Sequence, residues 1–399
     1  MTEPLDALDL SDGTRLAIVA VDGGRSAVPM IRDQDGRWRR AVAGDGAADA
    51  LVGMLANGSR RRGAFAVRSY TADGATGERA IGVDQTNESV IVGDAAVVKW
   101  ATHLQDGPHP APRRIGLLRE AGFGGMPTPW GVVTWQPPDG VETMVAYVDE
   151  YLPGAVDGWT WAVEMITEAA LRRQPGPVVA AAASVGTVVA ELHAALSGTR
   201  TLASTADAQR WRSEAMTSLE IACLAGDSDA SRCARARRRD IEGLLDGLGD
   251  LVGTPVVEGH GDLHVGQVLR ADGRFVVTDF DGNPVLPAAQ RALPIPAALD
   301  LAGMTQSLTH AAIVAARYTP LDPVALAEVD AAARAALLDS YARRLDVLGH
   351  AELYDPKPLP ALRVQQVLRE IAYATRHLPR WMYVPDAALP ALLDEGTPP

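Results

Sequence analysis

The sequence predicts an α+β fold in two lobes, rich in strands to about residue 153 and mainly helical after it. Three observations carry this. Up to about residue 153 the apolar runs are short and separated by turns containing Gly, Asp and Pro. From about 154 the runs lengthen, become rich in Ala and Val, and take helical spacing. A single strand–turn–strand unit, 255–280, interrupts the helices.

Residues 1–78 read as an N-terminal cap subdomain rich in strands. Leu16-Ala17-Ile18-Val19-Ala20-Val21 is a strand that ends in the turn Asp22-Gly23-Gly24. Asp35-Gly36 marks a second hairpin, and 64–70 another strand. The basic stretch Ser59-Arg60-Arg61-Arg62-Gly63 reads as a solvated loop. Residues 79–153 form an intermediate part of the same style. Strands at 89–92 and 95–99 are joined by Gly93-Asp94, a two-residue turn. A Pro-rich stretch, 107–112, precedes a short helix over 113–121. Strands at 131–135 and 143–147 lead to Glu150-Tyr151-Leu152-Pro153-Gly154, which reads as a hinge. Within 154–399, helices are expected at 178–196, 206–226, 228–248, 299–316, 323–348 and 359–375.

Composition narrows the function. A chain of 399 residues, 47% hydrophobic and 22% charged, is globular in the ordinary range. The net charge of −13 argues against non-specific nucleic-acid binding and against an anionic membrane surface. No apolar run of about 18 residues stands out, so no membrane span is expected. The acidic stretch 1–11 lacks a basic n-region, so a cytoplasmic protein is expected. Cys223 and Cys233 then read as reduced thiols. On one continuous helix they would stand about 15 Å apart, although a turn near Gly226 leaves a bridge open. Only two of the 37 basic residues are lysines, Lys99 and Lys357. A lysine retained against so strong an arginine bias, at the end of an apolar strand, marks Lys99 as a candidate phosphate contact.

The chemistry concentrates at 256–284. His260-Gly261-Asp262-Leu263-His264-Val265-Gly266-Gln267 is a polar loop. A hairpin turning at Asp272-Gly273 follows, and Asp279-Phe280-Asp281 closes it. The hairpin folds Asp279 back toward the loop. Phosphoryl transfer needs this set: a carboxylate to orient the attacking hydroxyl, and hard oxygens to hold Mg2+ against the phosphates of ATP. Asp262 suits the first task, and Gln267 with Asp279 the second. Asp281 is a further candidate at the metal or the acceptor, and His264 lines the loop. His260 reads as a structural histidine bonded to backbone carbonyls.

These motifs resemble the aminoglycoside phosphotransferase and choline kinase superfamily, which has a protein-kinase-like fold. Glutamine at 267 and Asp279-Phe280-Asp281-Gly282-Asn283-Pro284 are similar to its maltokinase branch, and within that branch to the actinobacterial glucosamine kinases. The resemblance spans most of the chain. It implies a phosphate loop at Gln85, Thr86, Asn87 and Ser89, a nucleotide-binding Lys99, and a nucleotide-contacting hinge at Glu150, Tyr151 and Leu152. Asp157-Gly158-Trp159 continues the hinge, and Ala190-Glu191-Leu192-His193 resembles a helix of the second lobe. Glu370, Tyr373, Arg376 and Trp381 resemble a sugar-site segment, and Asp300 either contacts sugar or holds the catalytic loop.

The implied activity is an ATP- and Mg2+-dependent kinase acting on a small sugar, with glucosamine favoured and its 6-hydroxyl the acceptor. Asp262, Asp281, Asp300 and Glu370 make the acceptor site acidic, which would attract a protonated amine. Maltose or an aminoglycoside is the alternative acceptor. A dinuclear metallohydrolase built on His260-x-Asp262-x-His264 and a pseudokinase are readings from other classes. One departure stands out. Kinase lobes carry a helix glutamate that pairs with the phosphate-binding lysine. Here Arg113 or a neighbour occupies that place, and Glu120 is the nearest acidic residue.

Overall fold

The structure is a computed structural model that describes all residues except 1, 2, 22, 82–87, 106, 139 and 396–399. The chain forms two compact units, Met1–Ala155 with Asp279–Leu293, and Val156–Thr278 with Pro294–Pro399. Residues 279–293, which the sequence alone assigns to the helical part, group with the first unit.

In the first unit, tight turns build a four-stranded antiparallel sheet from Asp6–Ser11, Thr14–Val21, Gly24–Arg32 and Trp38–Arg40, in chain order. A seven-stranded antiparallel sheet runs Arg60–Arg62, Phe65–Ser69, Pro129–Trp135, Thr143–Glu150, Ala96–Trp100, Glu88–Val92, Glu78–Ala80. Its central strands, Pro129–Trp135 and Thr143–Glu150, are buried along almost their whole length, as expected where both faces are covered. Helix Ala47–Ala56 adds Leu51, Val52 and Leu55 to a core that joins Leu16 and Ile18 of the first sheet to Phe65, Val98, Trp100 and Trp135 of the second. The two sheets therefore share one apolar core.

Local details differ from the sequence reading. The expected solvated loop at 59–63 contains a short edge strand, Arg60–Arg62, whose charges suit a sheet edge. Val92 pairs with Ala96, so three residues, not two, connect those strands. The short helix begins at Ala111 because Pro112 fits a first helical turn.

The second unit packs helices Gly158–Arg172, Gly176–Ala195, Thr205–Leu224, Ala297–Tyr318, Pro323–Val347, Leu359–His377 and Tyr383–Asp394. The expected helix over 228–248 breaks at Arg237 into Asp229–Ala236 and Arg238–Asp246. Contrary to expectation, Gly176–Ala195 is long and apolar enough to cross a membrane by length and composition. In the fold it buries Val178, Val185 and Val189. It lies so near Pro323–Val347 that a Cβ at Gly186 would stand 2.2 Å from the Leu337 carbonyl oxygen. Cys223 and Cys233 are free thiols.

Candidate active site

The hairpin Val268–Ala271 and Arg274–Val277 turns through Asp272 and Gly273 at φ 48° and 75°, the left-handed pair that a two-residue turn requires. It brings Thr278 back to the polar loop. Thr278 N and Oγ1 donate to the Gln267 carbonyl at 2.9 and 3.3 Å. His260 Nε2 donates to the Thr278 carbonyl at 2.9 Å, and His260 Nδ1 accepts from Asp262 N at 3.3 Å. Both ring nitrogens thus serve the backbone, which suits a structural histidine and not a metal ligand. Asp279 is the next residue in the chain. Its φ of 65° makes it one of three non-glycine residues in the left-handed region among the described residues. Such a conformation costs energy and persists where the surroundings hold it.

Asp300 anchors the other side of the loop. It is fully buried. Oδ2 accepts from His260 N at 2.8 Å and from His193 Nε2 at 3.1 Å, and Oδ1 accepts from Gly261 N at 2.8 Å. Burial pushes its pKa up, but His193, His260 and the Gly261 amide outweigh this, and the net shift is downward. A carboxylate with no exposed surface, engaged on both oxygens, is bonded to the backbone of the loop at His260 and Gly261. His193, in the helix segment that the sequence singled out without a role, orients it, and is itself set by Tyr341 OH at 2.8 Å from Nδ1.

Neighbouring helices press closely on this loop. A Cβ at Gly158 would lie 1.6 Å from the Val265 carbonyl oxygen, and one at Gly303 would lie 2.2 Å from that of Leu263. Only glycine permits either approach. The first contact places Trp159, which stacks on His264 at 6.1 Å between ring centres and meets Trp381 edge-on at 5.7 Å. His264 Nδ1 accepts from Gly266 N at 3.1 Å, and its Nε2 lies 3.5 Å from Gln267 Nε2. Trp159, which the sequence places only in the hinge segment, thus stands against two of the expected sugar-site residues, His264 and Trp381.

On helix Leu359–His377, Glu370 is only 20% exposed in its side chain. Gln366 donates to Oε1 at 3.2 Å. His310 Nδ1 lies 3.3 Å from Oε2, yet Oε2 has no well-formed hydrogen bond. Burial pushes the Glu370 carboxyl up to about 8 and the His310 ring down to about 3. Tyr373 and Arg376 stand exposed on the same helix. Arg369, adjacent in sequence and missed from it, feels the charge of Asp262.

In the first unit, Lys99 donates to Asp149 Oδ2 at 3.1 Å and lies 5.5 Å from the Tyr147 ring centre. Burial pulls the lysine's pKa down, but Asp149, Asp279 and Asp281 outweigh it and the net shift is upward. Asp149, 6% exposed in its side chain, is raised by burial and pulled back by Lys99. The lysine's partner thus comes from a neighbouring strand, and Glu120 is exposed on its helix. Ser89 pairs with Lys99 across the sheet. Glu150 accepts from Thr128 N and Oγ1 at 3.0 and 2.8 Å, Tyr151 N donates to the Ala95 carbonyl at 2.8 Å, and Leu152 is buried. The predicted contacts Gln85, Thr86 and Asn87 lie outside the described residues.

Asp281 lies in the same electrostatic field as Lys99 and Asp279. Burial first, and then the Asp279 charge, hold its carboxyl up at about 7 against Lys99, Arg291 and Arg114. Two crowded acidic groups of this kind fit a hard divalent cation. Among the described residues no group of three or more His, Cys, Asp or Glu is arranged to hold a metal. That donor set suits Mg2+, which takes one or two carboxylates and completes its shell with phosphate and water.

No family model matches the chain. It is 61% identical to a glucosamine kinase of Mycolicibacterium smegmatis over 396 residues, covering 98% of this chain and 99% of that protein. It is 45% identical to a glucosamine kinase of Streptacidiphilus jiangxiensis, covering 98% and 91%. A solved glucosamine kinase in complex with glucosamine, ADP and inorganic phosphate superposes with a TM-score of 0.86 at 43% identity, covering 97% of this chain and 93% of that one.

Proposed function

Because this chain belongs to the glucosamine kinase family, we propose that it transfers the γ-phosphoryl group of ATP to the 6-hydroxyl of glucosamine, in the cytoplasm. The bond from the γ-phosphorus to the bridging oxygen of ADP breaks, and a bond from that phosphorus to the sugar oxygen forms. Asp262 takes the hydroxyl proton. The observation that carries this reading is the pinning of its loop: Asp300 holds His260 and Gly261, and His260 holds Asp262 N and Thr278.

Gln267 and Asp279 would hold Mg2+, which supplies charge neutralisation on the triphosphate. Lys99, kept in place by Asp149, offers its ammonium to phosphate oxygens. Ser89 would contact the phosphates, a role that Gln85, Thr86 and Asn87, outside the described residues, are proposed to share, and the backbone at Glu150, Tyr151 and Leu152 would contact the adenine. Trp159, His264 and Trp381 give an aromatic wall for a sugar ring and its cation. Glu370, buried with one oxygen poorly satisfied and raised to about 8 by burial, would give up its proton on pairing with the ammonium of glucosamine, whose charge favours the carboxylate. Tyr373 and Arg376 flank it.

The test is phosphorylation of glucosamine, maltose and an aminoglycoside side by side, with the product assigned by phosphorus–proton correlation NMR. Glucosamine 6-phosphate as the preferred product supports the proposal. Preferential turnover of maltose, or phosphate on another hydroxyl, contradicts it.

A further inference from the structure

Helix Ala111–Glu120 occupies the place where a kinase lobe would offer a glutamate to the phosphate-binding lysine. In this chain the lysine is already engaged by Asp149. The helix instead buries an arginine: Arg114 is 1% exposed. Its Nη1 donates to the Phe280 carbonyl at 3.0 Å, and its Nη2 donates to the Arg291 carbonyl at 2.8 Å. One planar guanidinium therefore grips both ends of the segment 280–291, more than 160 residues away in sequence. Arg291 closes the same segment from the other side, donating from Nη1 to the Asp281 carbonyl at 3.4 Å and pairing with Gln105. The space is tight. Gly282 has φ 70°, and a Cβ there would stand 3.2 Å from Arg114 Nη1 and 3.3 Å from Arg291 Cβ.

A buried guanidinium is costly unless its donors and charge are answered. Here the Phe280 and Arg291 carbonyls each accept one of its N–H groups. The rigid fork matters, because a lysine at 114 offers a single flexible point charge and cannot hold both carbonyls in one plane. Phe280 is itself buried, so fixing its carbonyl fixes the peptide planes that orient the side chains on either side of it.

We propose that Arg114 is a positioning residue for the metal site, holding the backbone of Asp279-Phe280-Asp281 so that Asp279 presents its carboxylate in the left-handed turn. The helix then governs the metal-binding motif directly, and the orientation of Lys99 is left to the sheet. This rests on the reading of Asp279 as a metal ligand, and the test separates the two.

Mn2+ binding in the presence of ADP is measured by electron paramagnetic resonance on the full-length protein and on Arg114→Met, Arg114→Lys, Gly282→Ala and Asp279→Ala. Arg114→Met should raise the Mn2+ Kd by about tenfold or more, the range seen when a partner of a metal ligand is lost. The KM for Mg2+ should rise in parallel, with the KM for glucosamine unchanged within about twofold. Arg114→Lys should recover part of the affinity. Gly282→Ala presses on the guanidinium by a few tenths of an ångström and also strains the backbone at φ 70°, so it should shift Mn2+ affinity in the same direction; Arg114→Lys, which keeps the charge at 114, decides the matter should Arg114→Met fail to fold. Unchanged Mn2+ affinity in the folded Arg114 and Gly282 variants, with only Tm lowered, would overturn the proposal. Unchanged affinity in Asp279→Ala would overturn the ligand assignment instead.

Discussion

His260 Nε2 donates to the Thr278 carbonyl at 2.9 Å, and this bond ties the loop that carries Asp262 to the residue immediately before Asp279. The same imidazole accepts from Asp262 N, so one ring bonds the backbone at both Asp262 and Thr278. Asp300 then locks the ring's own backbone and that of Gly261.

Asp300→Ala should be costly. It strips a fully buried charged acceptor from three donors and leaves His193 unpaired on one side. A loss of about 3–5 kcal/mol in unfolding free energy is expected, read by denaturant titration. The folded pKa of Asp300 is lowered, so its contribution is present above the unfolded value near 3.8 and is lost as pH falls through the folded one.

Asp149→Asn should impair ATP use without touching the sugar. The substitution removes one charge-assisted hydrogen bond from Lys99, an interaction of about 1.5–3 kcal/mol, which corresponds to roughly a 10–100-fold rise in the KM for ATP. Lys99→Met should do the same, and the double variant should be no worse than Lys99→Met alone. Additive losses in steady-state kinetics would show that the two residues act independently.

Much of this was legible in the sequence, and the misses have physical causes. The loop 260–267 and the hairpin after it were readable because turn residues and alternating strands are local signals. Six strands of the first unit, Thr14–Val21, Phe65–Ser69, Glu88–Val92, Ala96–Trp100, Pro129–Trp135 and Thr143–Glu150, were also recognisable, whereas Asp6–Ser11, Gly24–Arg32 and the short edge strands were not. Three helices, Ala47–Ala56, Gly158–Arg172 and Tyr383–Asp394, were not singled out, because short amphipathic stretches beside Gly and Pro carry weak periodicity. The break at Arg237 was hidden because nothing in the composition there ends a helix. The partner of Lys99 was invisible for a different reason: Asp149, 50 positions further along the chain, reaches it through strand pairing. Trp159 and Arg369 come near the expected site residues only through tertiary packing, and the hydrogen bonds of Asp300 and His193 arise between segments far apart in sequence.

Glu370 should make stability pH-dependent in a defined direction. Its folded pKa, about 8, lies above its ordinary value of 4.5. The folded state therefore binds more protons than the unfolded chain between those values. The stabilisation is fully present below about 4.5 and is lost as pH rises through about 8. Thermal unfolding of wild type and Glu370→Gln from pH 5 to 9 measures this; the variant should show the flatter profile.

Trp159→Ala and Trp381→Ala should raise the KM for glucosamine while leaving that for ATP unchanged. A ring that faces an ammonium or a sugar contributes about 0.5–2 kcal/mol, or roughly 2- to 30-fold in KM. Parallel changes in both constants would place these rings in the structural core and not at the acceptor.

The most direct measurement is the turnover of glucosamine by Asp262→Asn, an isosteric change that removes the base and keeps the shape. The account predicts a fall in kcat of roughly 10²–10⁴-fold, with ADP affinity by calorimetry within about threefold of wild type. Near wild-type glucosamine phosphorylation in this variant would contradict it.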